Sequence, residues 1–190
     1  MATSLISKGG AARRAGGAKS ASAQVPVAEI ILGIDPGLDR TGYAVIASRE
    51  TVRDAGLLRS NAKAPLASRL AEIASSLDEV LDEWQPQLVA VEELFAHYKH
   101  PRTAILMGHV RGVVLHAAAK RGIDVLGLPS TQIKKTLTGN GHAGKAQIQR
   151  AIQATLRLPS MPQPADVADA LAIAWCAGIM AAGRPRRARA

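Results

Sequence analysis

An internal disulfide is excluded in this 190-residue chain, which holds a single cysteine, Cys176. A reducing, cytoplasmic setting is the natural expectation for such a sequence. Aromatic residues are almost as scarce, at 3% with one phenylalanine, Phe95. Ala, Leu, Ile and Val must therefore build the core, which suits helices packed on a sheet. No run is apolar for long enough to cross a membrane. The longest, from Ala170 to Gly183, follows two aspartates and falls short of the roughly 18 residues required. A secretory signal is not expected either, because no apolar stretch follows Arg13 and Arg14.

Acids are missing from particular places. Residues 1–28 carry Lys8, Arg13, Arg14 and Lys19 with no Asp or Glu, and residues 183–190 carry Arg184, Arg186, Arg187 and Arg189 with none. The net charge of +9 thus resides mostly in two tails, leaving the body near neutral. The Ala/Gly/Ser-rich start reads first as a disordered extension, with an organellar transit peptide as the alternative. Within the body, the stretch from Val125 to Ala165 contains Lys134, Lys135, Lys145, Arg150 and Arg157 and no acid, whereas acids dominate from Glu72 to Glu93. That polarity points to a nucleic-acid-facing side better than the total charge does.

What is present reads as one α/β domain over residues 29–182, between the two basic tails. The apolar run 29–34 ends at Asp35-Pro36-Gly37, a strand followed by a turn. Thr41–Ala47 and Thr51–Leu58 complete an antiparallel meander. Pro65 is expected as the first helical residue of a segment reaching Trp84, with Leu66, Leu70, Ile73, Leu77 and Leu81 on one face. Leu88–Val91 is a short buried strand delivering Glu92. A helix over 101–121 closes at Gly122, and Ile123–Leu128 is the fifth strand. Helices are expected just after Pro129, over 146–158 and over 165–182. The sum is a mixed five-stranded sheet flanked by helices.

Asp35 and Glu92 stand at the ends of apolar strands, where a charge is costly to bury without a partner. A turn-forming Asp is the plainer reading of the first. Asp166 and Asp169 lie three apart on the first turn of an otherwise apolar helix. Asp166 could serve simply as a cap favoured by the helix dipole. Capping explains Asp169 poorly, since it opens the run Ala-Leu-Ala-Ile-Ala-Trp. Carboxylates converging from two strand ends and one helix would repel one another, and a divalent cation resolves that conflict. All-oxygen ligation suits Mg²⁺ or Mn²⁺ over Zn²⁺. Two such ions roughly 4 Å apart activate water and stabilise a leaving oxygen in phosphodiester cleavage, so no nucleophilic side chain is needed. The loop Thr138–Lys145, with His142, is a further place where phosphate could sit, although His142 reads first as a surface residue.

Four blocks carry a resemblance: Ile-Leu-Gly-Ile-Asp-Pro-Gly with Thr-Gly-Tyr-Ala-Val-Ile at 31–46, Val-Glu-Glu-Leu-Phe at 91–95, Gly-His-Val-Arg-Gly-Val at 108–113, and Ala-Asp-Val-Ala-Asp-Ala-Leu-Ala-Ile-Ala at 165–174. In this order they resemble the RuvC family of Holliday-junction resolvases, in register from about Ile30 to Ala177. The resemblance implies an RNase H-like fold, a homodimer, and paired symmetric nicks across a four-way DNA junction with Mg²⁺, two ions per subunit, for which Mn²⁺ can substitute. It places an acidic catalytic tetrad on Asp35, Glu92, Asp166 and Asp169, a base-contacting aromatic on Phe95, and DNA-contacting or catalytic cations on Lys134 and Lys145. The dimer interface would fall on the helix holding Met107, Gly108 and Arg111. A branch-migration motor of the RuvA and RuvB type is the implied partner. Gly-Ile-Asp-Pro-Gly also resembles the first phosphate loop of sugar-kinase and actin-like ATPases, but this chain has no room for their second domain. A junction-binding protein without catalysis is the non-enzymatic alternative.

Overall fold

A computed structural model describes residues 30–48, 50–94 and 101–181. The basic extension, the C-terminal tail and Phe95, on all of which the sequence places expectations, lie outside those described residues. Strands β1 (Ile30–Asp35), β2 (Arg40–Ala47) and β3 (Thr51–Arg59) form the antiparallel meander. β4 (Leu88–Glu92) and β5 (Asp124–Leu128) add in parallel on the other side of β1, giving the order β3-β2-β1-β4-β5. The crossovers contain α1 (Leu66–Trp84) and α2 (Pro101–Lys120), and α3 (Ser130–Thr138), α4 (Lys145–Thr155) and α5 (Ala165–Ala181) follow.

Helix ends follow local chemistry, with two small shifts. Pro65 is the residue before α1 rather than its first member: its ψ of 151° is extended, while its carbonyl accepts from the Arg69 amide at 3.1 Å. That combination defines a cap position. α4 begins at Lys145, one residue earlier than expected, and ends at Thr155. Gly122, at φ +66°, supplies the left-handed turn after α2.

The sheet divides two unlike cores. One face packs Leu32, Ile34, Val45, Val89 and Val91 against Ile73, Leu77 and Leu81 of α1 and Val110 and Val114 of α2. Burying a side chain such as Leu77 completely contributes about 1.5–3 kcal/mol. Arg121 then ties the two helices together, donating to Asp82 at 2.9 Å and to Asp78 at 2.6 Å. The other face packs α3, α4 and α5 against Ile31, Ala44, Ile46 and Ala90. Large aliphatic side chains fill this core too, but where α5 crosses β1 and β2 the residues are small and the backbones close. A Cβ on Gly33 would lie 2.4 Å from the Ala170 carbonyl oxygen, and one on Gly42 would lie 2.1 Å from that of Asp166. Only glycine at these strand positions lets α5 press directly on β1 and β2.

Candidate active site

Alternation along the strands decides which side chains meet α5. In β1, Leu32 and Ile34 point to the α1 side, so Ile31, Gly33 and Asp35 point to the α5 side. In β4, Val89 and Val91 face α1 while Ala90 faces α5, and Glu92 shares the parity of Ala90. The parallel register pairs Ile34 with Val91, so Asp35 and Glu92 are the next step along adjacent strands. Across the antiparallel pair, Asp35 faces Gly42, against which the backbone of Asp166 rests. Asp169 lies one turn further along the same helix. All four acids line one cavity of about 530 Å³, as the sequence led us to expect.

The same cavity is lined by Lys134 of α3, Lys145 of α4 and Arg40 of β2. Lys145 is the first residue of its helix, an end where the dipole disfavours a cation. Its compensation is the carboxylate cluster, for its charge opposes the upward shifts of both Asp35 and Asp169. Lys134 does the same for Glu92 and Asp169. Arg40 Nε stands 3.5 Å from Asp166 Oδ2.

Asp35, Glu92 and Asp169 are held in surroundings that resist their ionisation. Burial, then the charges of Asp169, Glu92 and Asp166, push the Asp35 carboxyl up to about 8. Burial also raises Glu92, with Ser130 as a hydrogen-bond partner acting in the opposite direction, and burial raises Asp169. Among the described residues, no three acidic, His or Cys side chains already close into a ligand cage. The donor set fits a hard divalent cation: carboxylate oxygens on a rigid sheet edge and helix, with room between them.

Other expected residues fall in varied places. Met107, expected at a dimer interface, lines the cavity wall with Thr103, both from the first turns of α2. Gly108 and Arg111 lie on the same helix, half-buried, and the Arg111 Nε is buried with no hydrogen-bond partner among the described residues. His142 is exposed beyond the α3 terminus, and Cys176 is buried in the core. Ser130 and Arg40 are site residues that reading the sequence missed. Ser130 directly follows Pro129 at a strand end, a visible placement. Arg40 had only its position five residues after Asp35 to mark it.

Comparisons with known proteins agree with this geometry. The family model for crossover junction endodeoxyribonuclease RuvC matches residues 31–177. A Rhodopirellula baltica protein named crossover junction endodeoxyribonuclease RuvC is 49% identical over 168 residues, covering 87% of this chain and 94% of the relative. One of the same name from Ruminiclostridium cellulolyticum is 41% identical over 78% of this chain and 91% of its own length. The solved structure of Thermus thermophilus RuvC in complex with a Holliday junction substrate superposes with a TM-score of 0.75 at 32% identity, over 80% of this chain and 94% of that one. The five-stranded mixed sheet is thus the RNase H-like fold that the sequence motifs imply. Sequence, fold and cavity converge: this chain belongs to the RuvC family of crossover junction endodeoxyribonucleases.

Proposed function

We propose that residues 29–182 form a nuclease domain that resolves four-way DNA junctions by paired nicks, using Mg²⁺ held by Asp35, Glu92, Asp166 and Asp169. The observation that carries this reading is the convergence of those acids, from two adjacent strand ends and one helix turn, in one cavity flanked by cations. Two bound ions, with Mn²⁺ as a substitute, would supply an activated water and neutralise the leaving oxygen. The chain's own groups do the rest. Asp35 and Glu92, neighbours on a rigid sheet edge, hold their oxygens in fixed relation. Asp166 and Asp169 close the site from α5, set at the right depth by Gly33 and Gly42. Lys134 and Lys145 lie where the scissile backbone would enter, and a preorganised ammonium there stabilises developing negative charge. Phe95, which follows Glu92 closely in sequence, is assigned to the bases near the junction centre.

Junction symmetry calls for two equivalent sites, and a homodimer supplies them. Ile105, at 62% exposure, shares a face of α2 with Gly108 and Gly112, and this low surface suits close helix packing beside Met107 and Arg111. The motor of the RuvA and RuvB type enters as a partner through family membership. No helix among the described residues is long and apolar enough to cross a membrane, and we assign the activity to the cytoplasm.

The test is cleavage of a synthetic four-way junction with and without Mg²⁺. Wild type is expected to cut both opposed strands only with the ion. Asp35→Asn is expected to bind the junction and leave it intact. Equal cutting by that variant would rule out the metal assignment.

A further inference from the structure

Lys134 and Lys145 come from helices that follow β5, so they approach the cavity from the β4–β5 side. Arg40 comes from the opposite side, as the first residue of β2. We propose that Arg40 is a third phosphate-contacting cation of this site, which holds the DNA backbone on the β2 side of the cavity once the carboxylates are occupied. The inference rests on the nuclease reading above and adds a residue to it.

The turn that presents Arg40 is rigid. The Thr41 hydroxyl, fully buried, donates to the Gly37 carbonyl at 2.7 Å. Gly37 leaves no gap, since a Cβ there would meet the Arg40 carbonyl oxygen at 2.4 Å. Leu38 is buried in the core, and its carbonyl accepts from Ser60 Oγ at 2.6 Å. Arg69 in turn donates to Ser60 Oγ at 3.1 Å and to the Asp39 carboxylate. The backbone of residue 40 is therefore fixed relative to Asp35, five residues earlier on the same turn.

The side chain of Arg40, by contrast, is lightly held. It is 52% exposed, and its contact with Asp166 is an ion pair at 3.5 Å without a hydrogen bond. Such exposed pairs add little to stability. A divalent ion on Asp166 would remove the attraction and free the guanidinium at the cavity mouth. There it would meet a polyanionic strand, and its planar fork matches the oxygens of a phosphate. A purely structural role would need the short, doubly hydrogen-bonded geometry that Arg121 has with Asp78 and Asp82 and Arg40 lacks.

The experiment measures junction binding as a function of salt in Ca²⁺, an ion that takes oxygen sites. Wild type, Arg40→Gln and Arg40→Lys are compared. Each phosphate contact adds about 0.9 to the slope of log K against log salt, so Arg40→Gln is expected to lower that slope by about 1. Its affinity should fall roughly tenfold at moderate salt. Arg40→Lys, which keeps the charge, should retain the slope. Matching melting curves check that the fold is intact. A wild-type slope in Arg40→Gln overturns the assignment of Arg40 alone. Failure of the wild-type protein to bind the junction overturns the nuclease reading together with it.

Discussion

The two faces of the sheet solve different problems with the same strands. The α1–α2 face is a conventional cover, in which Leu, Ile and Val fill volume and Arg121 ties the helices over it. The α5 face also holds Ile and Leu, but where the helix carrying Asp166 and Asp169 crosses Gly33 and Gly42 it touches the backbones of β1 and β2. Bulk stabilises the first; proximity defines the second. A catalytic cluster needs tolerances far tighter than a hydrophobic core, and backbone contact sets position with less play than side-chain packing does.

The contrast can be broken most sharply at the carboxylates. Asp35→Asn should reduce junction cleavage by about a thousandfold or more, equivalent to about 4 kcal/mol of transition-state stabilisation, as followed by strand-resolved gel assays. On the opposite face, Leu77→Ala should cost about 2–5 kcal/mol of stability through its cavity. Its folded fraction should cut at the wild-type rate, which denaturant unfolding and turnover at low temperature together can check. Gly42→Ala should cost less stability, about 1–3 kcal/mol through overpacking, yet should impair cleavage, because the new methyl would push on the Asp166 backbone. If Leu77→Ala damaged turnover more than Gly42→Ala did, the division of labour between the faces would be wrong.

Acidity separates the faces again. In the unfolded chain Asp35 titrates near its ordinary 3.8, whereas in the fold burial and its acidic neighbours lift it to about 8. The folded state thus retains a proton that the unfolded state releases. The associated stability is full below the unfolded value and is lost as pH rises towards about 8. Without divalent ions, the wild-type Tm should decline over that window. Asp35→Asn should flatten the decline and melt higher near pH 8, by about 2–4 °C for each kcal/mol relieved. A decline of equal steepness in the variant would place its origin elsewhere. The smallest effect is expected at Arg69→Ala, which loosens the turn between β1 and β2 at a cost of about 1 kcal/mol and should lower turnover modestly without changing the metal requirement.

Much of this is legible in the sequence. Strand periodicity, Pro and Gly punctuation and the apolar stripe of α1 placed every described element within a few residues. The spacing of Asp166 and Asp169 put both on one helix turn. Asp35 and Glu92 were recognisable as strand-end charges, although their alignment depends on the register of β1 with β4, to which nothing local in either strand refers. Arg40 and Ser130 escaped notice because an exposed arginine in a turn and a serine at a helix start are common and locally satisfied.

By itself, then, the sequence determined the inventory: which segments would be strands or helices, which acids were too costly to bury alone, and which family the motifs resemble. Local pattern suffices for these because backbone geometry repeats every two or 3.6 residues. Only the tertiary structure decided the arrangement: that Gly33 and Gly42 admit α5 onto the sheet, that Met107 reaches the cavity wall, and that Arg40 stands against Asp166. Those are contacts between residues far apart in the chain or carried on different elements. Their distances depend on how whole elements pack, a quantity that no short window of sequence contains.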